Sequence, residues 1–177
     1  MKPPHTTVRS PSAIRSVAVE NGPQLQDWIV IGLGSPHGDD QVGWLVADEI
    51  SRGLGSAIVT RNLTCPIDLT LAIEGMPRVV IVDAVRCDRM SDHPCRWEWP
   101  SSEIALIRPS GTHAIGLTEC LHLASELNRL PDEVVIWGIP GRNFQAGSPI
   151  DHALRNAVPR LARQIIERDL ARPPEDR

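Results

Sequence analysis

Three short apolar runs, WIVIGL at 28–33, RVVIVDAV at 78–85 and EVVIWGI at 133–139, constrain this chain more than any other feature. Each is rich in β-branched residues and shorter than an ordinary buried helix, so each reads as a strand covered on both faces. Between them the apolar period changes. Val42, Leu45, Val46 and Ile50 recur at helical spacing after the first run, as do residues of Ile67–Glu74 and Ile115–Leu127. Ala57–Leu63 reads as a further strand, and Arg96–Pro100 with Glu103–Ile107 as an edge hairpin or extra strands. A last helix is signalled by Ser148 as cap, Pro149 in the first helical position and Asp151 answering the cap. Its apolar face is Ile150, Leu154, Ala157, Val158, Leu161 and Ile165, with Pro159 expected to bend it. Strands alternating with helices predict an α/β fold: a three-layer α/β/α sandwich with a mostly parallel central sheet, the three runs at its centre.

This pattern occupies 27–170 and forms one domain. Residues 1–26, rich in Pro, Ser and charge, read as a flexible N-terminal extension, and 171–177 as a loose tail. A formal net charge of -4 without clustering gives no electrostatic support for a nucleic-acid partner. No apolar run approaches the roughly 18 residues of a membrane span. The 4 cysteines form no C-x-x-C pair and nothing at the N-terminus reads as a signal peptide, which predicts free thiols and a cytoplasmic protein.

In such a sheet, chemistry sits beyond the carboxyl ends of the strands. Three places there carry reactive side chains: His37, Asp39 and Asp40 in GLGSPHGDDQVG, Asp83 at the end of the second run, and His113 in SGTHAIGL. A dinucleotide site would need a third glycine where His37 stands and an acid after the second strand, which ends VTRNL, so the fingerprint fails twice. No H-E-x-x-H and no G-x-S-x-G is present. For Asp39 and Asp40 the structural alternative is capping of the following helix, which accounts for one aspartate better than for two. Asp83, after four β-branched residues, needs a partner for its charge. Two carboxylates and one imidazole suit a divalent metal with positions left open for exchangeable ligands.

Together, GLGSPHGDDQVG, VVIVDAV, HAIGLTECL and GSPIDHALRNAVPRL resemble, in this order and over about Trp28–Ile166, the motifs of the hydrogenase maturation proteases. The resemblance implies an endopeptidase that removes the C-terminal extension of the nickel-loaded [NiFe]-hydrogenase large-subunit precursor. It implies metal ligands at Asp40, Asp83 and His113, the same three residues serving catalysis. The ion would be nickel presented by the substrate, and other divalent metals also suit such a site. Asp39 is the alternative to Asp40 as ligand; otherwise it would hold water or orient Asp40. Departures from the family pattern include Ser35 in place of the usual asparagine, Gln41 in place of a glycine, and a loop one residue shorter. Two other readings are a nickel-binding assembly factor without hydrolytic activity and a nucleotide-dependent α/β enzyme.

Overall fold

The computed structural model describes residues 25–86, 93–104 and 116–172. Strands β1 (Trp28–Leu33), β2 (Val59–Leu63), β3 (Arg78–Arg86), β4 (Cys95–Glu98) and β5 (Glu133–Gly141) form one sheet in the spatial order β2-β1-β3-β5-β4. All pairs are parallel except β4 with β5. The three apolar runs are β1, β3 and β5, the central strands of the sheet.

Strand alternation sends the side chains of each central strand into two separate cores. Trp28, Val30, Val80, Val82, Val135 and Trp137 meet α1 (Val42–Leu54) and α4 (His152–Ile165) on one face. Ile29, Ile31, Val79, Ile81, Val134 and Ile136 meet α2 (Leu69–Ala72) and α3 (Leu117–Glu126) on the other. Complete burial of such a side chain is worth roughly 1.5–3 kcal/mol, so both faces stabilise these strands. A charged residue is tolerated only toward their ends. This is the three-layer architecture predicted.

The element boundaries differ from the sequence expectation in specific ways. A tight turn at Gly55–Ala57 takes the first residue of the predicted second strand. Within 67–74 only Leu69–Ala72 is α-helical, after a 3-10 turn at Pro66–Asp68. Gly116 is extended, so α3 starts at Leu117, two residues later than expected. The first half of the proposed hairpin is the antiparallel edge strand β4; Glu103 and Ile104 are not in a strand, and 105–107 lie outside the described residues.

The start of the last helix is a correction. Its cap is Asp151, whose carboxylate accepts the Leu154 N–H at 3.1 Å, and not Ser148, whose hydroxyl donates to the Gln145 carbonyl. The backbone carbonyl of Ser148 is bonded to Gly38, which holds 148–150 outside the helix. The helix then passes through Pro159 and continues as a π-helical turn over Ile166–Leu170. Asp169 at that end is buried, accepting from Arg96 Nε and Trp137 Nε1, both at 2.7 Å. These bonds tie the end of the helical layer to β4 and β5.

Candidate active site

Connections from the central strands leave in opposite directions. β1 leads through α1 to β2 on one side, while β3 lies on its other side and is reached through α2 on the opposite face. Such a reversal opens a crevice between the carboxyl ends of β1 and β3. The loop 34–41 rises from one wall and Asp83 stands on the other, since Gly32 of β1 pairs with Val82 of β3.

Two glycines set how close those walls come. A Cβ on Gly43 would run into the carbonyl oxygens of Leu33 and Val82, and one on Gly32 would run into the backbone of Gly43. The first turn of α1 therefore lies directly on β1 and β3. Asp40, just before that turn, is brought toward Asp83 by backbone contact that no side chain separates.

Asp40 and Asp83 are half-buried residues, and the residues flanking Asp83 are buried. The protein packed around the Asp83 carboxyl, and after it the negative charge of Asp40, push its pKa up to about 7, against the lowering effect of a backbone bond with Ala84. Like charges sharing one site raise a carboxyl in this way. A divalent cation between them would remove both the repulsion and the desolvation cost, so the donor pair fits one. His113 lies outside the described residues. Among the described residues no group of three carboxylate, imidazole or thiol side chains is disposed to hold a metal.

The neighbouring aspartate does something different. Asp39 is 2% exposed, and its carboxylate accepts three backbone N–H groups: Asp151 at 2.9 Å on Oδ1, and Arg142 at 2.8 Å and Asn143 at 2.9 Å on Oδ2. Burial opposes its charge, but the bonds from Asn143, Asp151 and Arg142, with the Arg142 charge, hold its pKa below the ordinary carboxylate value. Its two oxygens are thus committed to the segment between β5 and α4. The capping alternative does not account for Asp39, since α1 has no side-chain cap. Asp39 is the anchor of a clamp.

Further bonds complete that clamp. Gly38 N–H donates to the Ser148 carbonyl at 2.8 Å, Asp39 N–H to the Asn143 carbonyl at 2.7 Å, and Gly147 N–H to His37 Nδ1 at 3.1 Å. Gly34 N–H and the Trp44 indole both reach the Leu63 carbonyl at the end of β2. A loop that cradles phosphate leaves its amides open; here the N–H groups of Gly34, Gly38, Asp39 and Asp40 are all bonded within the protein. That arrangement disfavours the nucleotide reading.

The sequence did not reveal this clamp. Asp39 and its partners are more than 100 positions apart, and GRNFQAGSP has no pattern beyond that of an ordinary loop. His122 on α3 lies edge-on to Trp99 with ring centres 4.9 Å apart.

Comparison with known proteins agrees with this architecture. The HycI hydrogenase maturation protease family profile matches residues 64–168, more than half of the chain, a span that includes Asp83 and His113 but not Asp40. Comparison with curated protein sequences gives no match. The hydrogenase maturating endopeptidase HybD from E. coli superposes with a TM-score of 0.67 at 12% identity, over 79% of this chain and 90% of that one. HycI from E. coli gives 0.64 at 21% identity, over 85% and 99%. HybD from Thermococcus kodakarensis gives 0.62 at 21% identity, over 82% and 99%. At these identities the superpositions speak for the fold, and the profile match for the family: the chain belongs to the hydrogenase maturation proteases.

Proposed function

We propose that this protease removes the C-terminal extension of a [NiFe]-hydrogenase large-subunit precursor in the cytoplasm, once that precursor carries nickel. The observation that carries the reading is the pair Asp40 and Asp83 facing one crevice, with the Asp83 carboxyl raised by its surroundings and by Asp40. Two carboxylates so placed are poorly matched to each other and well matched to a cation. His113 is proposed as the third ligand. The ion is part of the substrate: nickel held by the precursor completes its coordination on protease side chains, and other divalent metals would suit the same donors.

Such an arrangement is a checkpoint. An empty precursor offers no positive charge to the two carboxylates, so loaded and empty clients differ in affinity through one local interaction. Nickel held by Asp40, Asp83 and His113 would supply Lewis-acid polarisation of the scissile carbonyl or of water. With the ion bound, Asp83 would serve as an ionised ligand, since its raised pKa belongs to the metal-free crevice. The clamp centred on Asp39 holds the loop that carries Asp40 in place.

The test is cleavage of nickel-loaded and nickel-free precursor, followed by a gel shift. Cleavage of the loaded form alone is expected. Tight binding of loaded precursor without cleavage would favour the assembly-factor reading, and equal cleavage of both forms would remove the checkpoint.

A second expectation concerns the protease without metal. The folded pKa of Asp83 lies above the ordinary carboxylate value, so below about pH 7 the folded state holds a proton that the unfolded chain releases until roughly pH 4. This contribution to stability therefore grows as pH falls from about 7 and is absent above it. Metal-free protein should gain melting temperature from this group between about pH 8 and pH 6. The Asp83→Asn variant should lack that gain, measured as the difference between the two melting curves. Identical pH dependence in both proteins would show that Asp83 ionises normally.

A further inference from the structure

The outer surface of α2 with the turn before it, and of α3 with the residue that ends it, carries four large apolar side chains in contact with solvent. Ile67 is 38% exposed, Leu71 65%, Leu123 40% and Leu127 47%. They form two pairs, each four residues apart, on neighbouring segments. The segments run side by side in the same direction: Cys65 lies near Cys120 at one end, and Glu74 pairs with Arg129 at 3.5 Å at the other. On α3, Leu121 and Ala124 are buried against the sheet and Cys120 is on the side of α2. Steps of about 100° per residue then put Leu123 and Leu127 on the outer shoulder nearer α2. His122 lies on the other shoulder, against Trp99. Leu123 and Leu127 thus lie on the side of α3 that faces the 65–74 segment, which carries Ile67 and Leu71, and the space between the two segments is the α2–α3 groove.

Within 65–74 and 117–129 the charge is mostly acidic. Asp68 and Glu126 are exposed on these segments, and Arg129 is the one Lys or Arg within 65–74 and 117–129, already paired with Glu74. A second copy of this chain meeting its own face would bring carboxylates against carboxylates, which disfavours self-association. The complementary partner has an apolar ridge flanked by Lys or Arg. Position narrows it further. The groove begins at Cys65 and Cys120, just beyond the carboxyl end of β2, on the side of the sheet where the crevice opens.

We infer that the α2–α3 groove, through Ile67, Leu71, Leu123 and Leu127 and its acidic rim, docks a basic, amphipathic segment of the same precursor whose C-terminus reaches Asp40 and Asp83. This inference rests on the proposed function. An amphipathic helix laid into an apolar groove is a common mode of recognition, with anchors at helical spacing. Its role here is to hold the client while the crevice acts on a distant part of it.

The experiment uses the full chain and the nickel-loaded large-subunit precursor from the same organism, with cleavage followed by gel shift. The double variant Leu71→Ser, Leu123→Ser alters exposed positions, and a thermal melt checks its folding. Glu126→Lys changes the rim without touching the apolar anchors. Each is expected to raise KM about tenfold or more with kcat little changed, the signature of lost binding common to ground and transition states. The wild-type KM should also rise with salt, and that of Glu126→Lys should rise less. Wild-type KM in both variants would overturn the docking site while leaving the proposed function standing. Wild-type protein that neither binds nor cleaves loaded precursor would overturn both. A wild-type dimer in sedimentation that Leu71→Ser, Leu123→Ser dissolves would assign the groove to a second copy of this chain, and overturn the inference.

Discussion

Replacing Asp40 by Asn should leave the melting temperature nearly unchanged and reduce cleavage of nickel-loaded precursor by about a hundredfold or more. Substituting the outer partners of metal ligands typically costs ten- to a hundredfold, and loss of a ligand should cost at least as much. The stability half of this expectation follows from the local structure. Neither the 38–41 turn nor α1 is capped by a side chain, so the exchange removes no helix cap. Asn has nearly the shape of Asp, and removing the charge relieves Asp83 of the second-largest influence raising its pKa. The activity half follows from charge: a neutral amide is a poor ligand for a divalent cation beside a single remaining carboxylate. Cleavage kinetics and a melt on the same preparation decide it. A stably folded Asp40→Asn protein that processes precursor at the wild-type rate would end the assignment of Asp40 as ligand.

What was legible in the sequence depended on how local the cause was. Burial on both faces shows in the residues themselves, so 28–33, 78–85 and 133–139 could be placed at the centre of the sheet from their apolar character alone. Asp83 could be singled out because it follows four β-branched residues, where an ionised carboxyl needs a partner. The acidic pair could be marked as unusual, but the division of labour within it could not be read. Nothing near Asp39 in sequence shows that the amides of Arg142, Asn143 and Asp151 reach its carboxylate. The same distance hid the true cap of α4. Ser148 and Pro149 carry a good start signal, but contact with Gly38 holds them outside the helix and leaves capping to Asp151. The groove between α2 and α3 was equally invisible, since it depends on two segments lying side by side 55 positions apart, as Cys65 and Cys120 do.

The clamp gives the adjacent aspartate the opposite expected behaviour. Asp39→Ala should lower the melting temperature substantially, because three backbone N–H groups lose a charged acceptor together. Hydrogen bonds to charged groups contribute roughly 1.5–3 kcal/mol each, and those facing water after the change will recover part of that. A net loss of about 3 kcal/mol or more corresponds, for a chain of this size, to roughly 6–12 °C in melting temperature. Asp39→Asn should fall between Ala and wild type. Its amide oxygen can serve Arg142 and Asn143, but its NH₂ group would then meet the Asp151 N–H, donor against donor. The pH dependence checks the cause. The folded pKa of Asp39 is lowered, so its contribution is present above the ordinary carboxylate pKa and lost as pH falls through the folded value. The gap between wild-type and Asp39→Ala melting temperatures should accordingly be widest near neutrality and narrow below about pH 4. Processing should fall in both variants, since the loop that carries Asp40 is no longer held, but it should recover in part on cooling, which Asp40→Asn cannot do. Melting curves for Asp39→Ala that match wild type from neutral to acid pH would show that the clamp stabilises nothing, and that Asp39 must be reconsidered as a ligand.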